Sequence, residues 1–425
     1  NSKYPNVGFL VDDAAIFDHR IESPLKGVTT DANGKFLFDK LPYGEYIIVY
    51  EKDGWGYNYL HNITLNKSEF NVSKDDTLML YKEIVLPYFI DDTMELETDK
   101  TYVAFRDTVV GPQGNVVLRE NSKLLLGSRV KITSYGNITS SQDDGRSIIS
   151  SYLVDHDNLD VSRGDGIYIL DGNADLNNIS FSLLYDALEI STNNCSLSNL
   201  GFSGCQFGLK VLSCENISIS NCVFLNIEED SSIATAAYNV QGFEFNHNLF
   251  YNNKMAIKQE IIKDAVLWNN IFVNNVKTFQ NLWESESIFR NNLIEKTGIA
   301  IENSGKSNLS ILYNDISAEV CVKTYHSHHS ANTVSRGWTK ANNNNFAAGK
   351  YAVESRAAYV YAGVPFPLDF TNNFWGTVNS DDIDEQIIDY YDIGLHPFVG
   401  YSYVTSEVLY RPFKRSKIAD AGIGL

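Results

Sequence analysis

The sequence predicts an all-β chain: a right-handed parallel β-helix of three strands per coil and roughly 12 to 13 coils, preceded by a small β-sandwich. Three observations predict it. A small polar residue, usually asparagine, recurs just before an apolar pair at Ser198, Asn221, His247, Asn269, Asn291, Asn314, Asn344 and Asn372, at intervals of 23, 26, 22, 22, 23, 30 and 28 residues. Between these points short runs alternate apolar and polar residues, the period of a strand with one buried face. The opening stretch lacks this repeat and instead alternates strand signals with turn signals.

In that opening stretch, Asp31-Ala32-Asn33-Gly34 is a turn signal followed by the alternating run Lys35-Phe36-Leu37-Phe38. A second turn, Leu41-Pro42-Tyr43-Gly44, leads into an alternating strand from Glu45 to Tyr50. The residues Gly27 to Asp31, Gly34 to Phe36 and Leu41 to Tyr46 resemble the recurring pattern of the carboxypeptidase regulatory-like (transthyretin-like) β-sandwich family. That resemblance implies a non-catalytic spacer or adaptor over residues 1–75. The polar, acidic residues 76–100 read as a connector, and residues 401–425 as a C-terminal cap or tail.

One rung shows how a coil is built. Gly208-Leu209-Lys210-Val211 alternates, with Leu209 and Val211 inward. Asn216-Ile217-Ser218-Ile219-Ser220 is a second such strand, Asn221 turns sharply, and Cys222-Val223-Phe224 starts a third. Asparagine suits the turn because it tolerates left-handed backbone angles. Stacked amides on successive coils, about 4.8 Å apart, can also hydrogen-bond into a ladder. The last rung, Asn372-Asn373-Phe374-Trp375-Gly376, with Asp382 to Gly394 and Pro397-Phe398, resembles the closing coil of the pectate-lyase-like β-helix superfamily. That likeness spans residues 101–400. It implies an extracellular or cell-surface protein, such as a bacterial secreted protein or lipoprotein, that engages polysaccharide or cell-surface glycan. The start Asn1-Ser2-Lys3 reads as that of a mature or trimmed chain.

Composition narrows the partners. Net charge is −19, from 53 acidic and 34 basic residues, which repels nucleic acid and anionic lipid. The acidic excess suits bound Ca²⁺. No apolar run is long enough for a membrane-spanning helix. The five cysteines, Cys195, Cys205, Cys214, Cys222 and Cys321, lack the paired spacing of a zinc site and read as small buried residues of successive coils. A monomer is expected.

Chemistry is expected on the outer face of the first aligned strand of each coil. The outward column reads Tyr168, Glu189, Lys210, Asn239, Lys258, Gln280, Ala300, Cys321 and Glu354. A lyase needs a base and a cation beside a sugar carboxylate, for which Lys210, Lys258 and Glu189 are candidates. Asp165, Asp186 and Glu260 are the candidate calcium carboxylates, with Glu189 beside them. Tyr168, Asn239 and Trp338 are candidate sugar contacts. Asp165 and Asp186 are one coil apart, near the spacing of a glycosidase carboxylate pair. The asparagine-threonine-aspartate, glycine-histidine-glycine and arginine-isoleucine-lysine runs of polygalacturonase-like hydrolases do not occur. Insertions at Asp155 to Asp165, Glu228 to Asp230 and Tyr325 to Trp338, the last carrying His326, His328 and His329, border this face. Two functions remain open: a polysaccharide lyase or glycoside hydrolase, and a non-catalytic surface or adhesion scaffold.

Overall fold

A computed structural model describes residues 13–18, 26–29, 37–38, 44–52, 56–65, 83–141, 145–152, 163–327, 338–358, 366–393, 397–398, 401–402 and 406–423. Strands Lys26–Thr29, Asp13–Asp18, Gly44–Lys52 and Gly56–Leu65 form, in that order, a four-stranded antiparallel sheet. The other half of the expected sandwich, with the turns at Asp31 and Leu41, lies outside the described residues.

The rest is a parallel β-helix with three strands per coil. The first sheet stacks strands such as Gly201–Ser203, Val223–Leu225 and Leu249–Tyr251. The second stacks Asp186–Ile190, Phe207–Leu212, Ile233–Tyr238 and Met255–Glu260. The third stacks Glu215–Ser220, Gln241–Asn246 and Ala265–Trp268. The chain passes from the first sheet into the second with little or no break. Strand Leu293–Ser304, for instance, pairs with both Ile271–Val273 and Lys277–Leu282. A column of small buried residues marks this bend: Ala187, Gly208, Ala234, Ala256, Thr278, Ala300, Cys321 and Ala352.

The solenoid begins earlier than expected. Ile84–Val85, Phe89–Ile90 and Thr93–Leu96 already form a coil, paired in parallel with the next one, inside the stretch read as a connector. The third sheet holds eleven strands, so eleven complete coils are described instead of twelve or thirteen. Late coils are longer than the average used for the expectation: the asparagines of the last two ladder steps are 30 and 29 residues apart.

The core is built by stacking like on like. Phe181, Phe202, Phe224, Phe250 and Phe272 occupy one inward column, with successive ring centres 5.0, 4.8, 4.6 and 5.0 Å apart. Such near-parallel rings bury large apolar area at each coil. At the corner between the third and first sheets two polar columns run side by side. The outer one, Asn199, Asn221, His247, Asn269, Asn291, Tyr313, Asn343 and Asn372, adopts left-handed backbone angles with φ between 52° and 62°. The inner one, Asn248, Asn270, Asn292, Asn314, Asn344 and Asn373, is buried, and each amide donates to the next at 2.9–3.0 Å. The column read from sequence mixes the two, since Asn314 and Asn344 are ladder residues and Ser198 precedes the turn. The doublets Asn269-Asn270, Asn291-Asn292, Asn343-Asn344 and Asn372-Asn373 supply one residue to each role, so spacing alone cannot separate them.

Trp375 closes the C-terminal end, buried against Phe346 at 5.1 Å. The tail then runs back along the solenoid. Ile418 exchanges two hydrogen bonds with the Asn345 amide, and Lys417 pairs with Asp315 at 2.7 Å. All five cysteines are buried and unbridged. Among the described residues no helix is long and apolar enough to cross a membrane.

Candidate functional site

The outward column of the second sheet is set by register. It reads Thr133, Tyr168, Glu189, Lys210, Ala236, Lys258, Gln280, Glu302, Lys323 and Glu354. Asn239, Ala300 and Cys321 are not in it. Asn239 sits at the following corner with φ 54°, its amide directed at Ser213. Ala300 and Cys321 belong to the buried small-residue bend, and Glu302 and Lys323 take the outward places. Trp338 is also elsewhere: it starts a strand of the third sheet opposite Asn308 and is half-exposed.

The two ends of the column differ chemically. Toward the C-terminus it is a row of ion pairs: Lys258 with Glu260 at 2.8 Å, Lys277 with Glu302 at 3.3 Å and Lys323 with Glu354 at 3.3 Å. The more exposed Lys258–Glu260 pair contributes under about 1 kcal/mol, whereas Glu354 is buried and its pair with Lys323 is not of that surface kind. Toward the N-terminus charges converge unevenly. Asp186 is only 8% exposed and accepts on one oxygen from both the Lys210 ammonium, at 2.7 Å, and the Tyr168 hydroxyl, at 3.1 Å. Its other oxygen, and Oδ1 of Asp165, are buried without a hydrogen-bond partner. Arg129 is the cation nearest Asp165, at 3.7 Å, too long for a hydrogen bond.

Local backbone chemistry brings these groups together. Asp186 N–H donates to the Asp165 carbonyl at 2.7 Å, placing the two aspartates on adjacent coils. Gly166 follows Asp165 with φ 137°, and a Cβ there would lie 1.7 Å from the Asp186 carbonyl oxygen. Only glycine permits this approach.

Burial raises the Asp165 carboxyl above the usual range; Arg129 opposes that and the Asp186 charge adds to it. Burial likewise raises Glu189, opposed by Lys210 and reinforced by Asp186. The Tyr168 phenol is raised by burial and then by Asp186. Cations border the cluster: Lys131 lies 5.8 Å from the Tyr168 ring centre, Arg129 lies 4.8 Å from that of Tyr185, and Lys210 lies 4.2 Å from that of Phe207. Sequence reasoning missed Arg129 and Lys131, although Lys131 lies opposite Gly166 and is legible once that strand is aligned.

The catalytic set drawn from sequence is thus divided. Glu189 and Lys210 belong to the cluster, whereas Lys258 stands two strands further on, about 10 Å away, and is held by Glu260. The calcium set is divided too. Asp165 and Asp186 are adjacent, but Glu260 is three strands from Asp186 and five residues further along its strand, about 20 Å away. The Lys210 ammonium fills the place beside Asp186 that a metal ion would take. Among the described residues no three His, Cys, Asp or Glu side chains converge as a metal site. Of the bordering insertions, Glu229 reaches the buried Arg163 at 2.5 Å and Asp230 reaches Lys254 at 2.7 Å. Asp155, His156, Asp157, Asp160, His328, His329 and the side chain of His326 lie outside the described residues.

No protein-family model matches this sequence, and no curated protein does. Among solved structures the chain is similar to a hyperthermoactive exopolygalacturonase from Thermotoga maritima. The two share 8% identity at a TM-score of 0.39, over 61% of this chain and 83% of that one. A likeness of that size bears on neither substrate nor site.

Proposed function

We propose that the outer face of the second sheet binds a polysaccharide or cell-surface glycan and hydrolyses it at the Asp165–Asp186–Glu189 cluster. One observation carries this: three carboxyls on two adjacent coils share a half-buried site in which two are pushed toward the protonated form and two oxygens lack partners. A carboxyl shifted toward its protonated form is suited to give a proton to a glycosidic oxygen. Asp165 or Glu189 fills that role, and Asp186 is the second carboxylate, positioned by Lys210 and Tyr168. Asp165 and Asp186, one strand step of about 4.8 Å apart, suit the roughly 5 Å carboxyl separation of retaining enzymes, while Glu189 shares the strand of Asp186.

Hydrolysis is favoured over elimination because both candidate lysine bases are ion-paired, so neither directs a free lone pair at a sugar. In this reading the protein acts outside the cell or on its surface, and the N-terminal unit is a spacer. The row of ion pairs from Lys258 to Glu354 supports a second reading, in which the whole face is a rigid non-catalytic scaffold.

The test is incubation with a broad polysaccharide panel, following new reducing ends and unsaturated products separately. Reducing ends without unsaturated products, abolished in Asp186→Asn, would support hydrolysis. Unsaturated products would point to a lyase, and silence across the panel would leave the scaffold.

A further inference from the structure

The third sheet carries an open depression of about 570 Å³ on its outer face, lined in part by Ser218, Glu244, Asp264, Val266, Trp268 and Arg290. Its volume falls within the range of ligand clefts. Register explains its shape. Along one outward column Ser196 and Ser218 are followed by Glu244, Val266 and Ile288. Along the next, Ser198 and Ser220 are followed by Asn246, Trp268 and Arg290. The step from serine to bulky side chains raises a wall over a low floor. Gly242 keeps that floor clear: its φ is 68°, and a Cβ there would lie 2.9 Å from Asn216 Oδ1.

Trp268 is held in place by its neighbours. Its indole N–H donates to Glu244 at 3.3 Å, the Arg290 guanidinium lies 5.6 Å from its ring centre, and His247 meets it edge-on at 4.9 Å. An indole fixed in advance loses little freedom when a ligand arrives.

We propose that this depression is a second, non-catalytic binding site for a neutral oligosaccharide. An aromatic side chain flanked by carboxylate acceptors and a guanidinium donor matches a pyranose, which offers an apolar C–H face ringed by hydroxyls. Anionic ligands are disfavoured by Glu244 and Asp264 standing against one Arg290, within a chain of net charge −19. A wholly apolar ligand would find only Trp268 and Val266 as partly exposed apolar walls. The lining spans three strand steps, about 14 Å, which is oligosaccharide length. The site does not depend on cleavage at the second sheet; a scaffold without catalysis would use it equally.

The test follows the indole N–H of Trp268 by proton–nitrogen NMR. The chain has five tryptophans, so Trp268→Phe identifies the signal. The probes are cellohexaose, xylohexaose, mannohexaose and N-acetylchitohexaose, with trigalacturonate as the acidic comparison. At least one neutral probe should shift that signal saturably. Calorimetry should find its affinity lowered about tenfold or more in Trp268→Ala, and lowered also in Glu244→Gln and Arg290→Gln, as loss of one anchoring contact requires. Circular dichroism confirms that each variant is folded, and the milder Glu244 and Arg290 variants carry the test if Trp268→Ala is not. No response of the Trp268 signal to any neutral probe, unchanged affinity in the folded variants, or preference for trigalacturonate would overturn the proposal.

Discussion

Replacing Asn292 by alanine removes one step from the buried ladder. The Asn292 amide donates to the Leu267 carbonyl at 3.1 Å and to Asn314 Oδ1 at 3.0 Å, and accepts from the backbone and side chain of Asn270 at 2.9 and 3.0 Å. Asn314 Oδ1 keeps a partner, because the backbone N–H of residue 292 still donates to it. Two buried donors do not: the Asn270 N–H and one Asn270 amide hydrogen, while the Leu267 carbonyl stays within a strand paired to the next coil. At about 1–3 kcal/mol for each stranded group, Asn292→Ala costs about 2–6 kcal/mol. That is a large share of an ordinary folding stability of about 5–15 kcal/mol. The control is Asn291→Gly, one residue earlier, where φ is 52° and glycine is at ease; its expected cost is under about 1 kcal/mol. Urea unfolding gives the global cost, and hydrogen exchange over residues 249–312 gives the local one, because repeat proteins can lose cooperativity. Equal costs for the two substitutions would refute the ladder as the element that pins this corner.

Three other outcomes are expected. Glu189 is raised in the fold, so the folded state binds more protons than the unfolded state between the two pKa values. Stability therefore falls as pH rises through that window, and the loss is complete above the folded pKa. The change in melting temperature on Glu189→Gln should then be more favourable at pH 7 than at pH 4; a less favourable change at pH 7 would contradict the sign. Burial pushes the thiols of Cys195 and Cys205 up to about 11 and those of Cys214, Cys222 and Cys321 up to about 12. A thiol-exchange reagent at pH 8 should find almost no reactive cysteine in the folded protein and all five in denaturant. Phe224→Ala opens the ring stack between Phe202 and Phe250 and should cost about 3–5 kcal/mol in the same urea assay.

How much was legible in the sequence depends on what each residue had to decide. Period and alternation gave the solenoid, because each coil repeats one pattern of inward residues. They also put Tyr168, Glu189, Lys210, Lys258, Gln280 and Glu354 in one column. The column slipped at Ala300 and Cys321 for a physical reason. At the bend from the first sheet into the second, two consecutive residues are buried, Gly208 and Leu209 in one coil and Ala300 and Ile301 in another. Strict alternation fails there: Ala300, which alternation puts level with Lys210 on the outer face, is the counterpart of the buried Gly208, and Glu302 takes the outward place. At Asn239 the insertion around Glu228 to Ser231 hid the strand Ile233–Tyr238, and with it Ala236. The cluster itself was half legible. Its carboxylates could be placed one coil apart, but their burial and the sharing of Lys210 by Asp186 depend on side-chain packing that no spacing encodes.

At the N-terminal end of this face, burial and the Asp186 charge hold the Asp165 and Glu189 carboxyls above the usual range, whereas the glutamates further along are ion-paired. Titration of the side-chain carboxyl carbons by NMR, in the native protein and in Asp186→Asn, tests this most directly. Both carboxyls should titrate above the usual carboxylate range, and Asp165 should fall once the neighbouring charge is gone. Ordinary titration of both groups, indifferent to residue 186, would contradict the account.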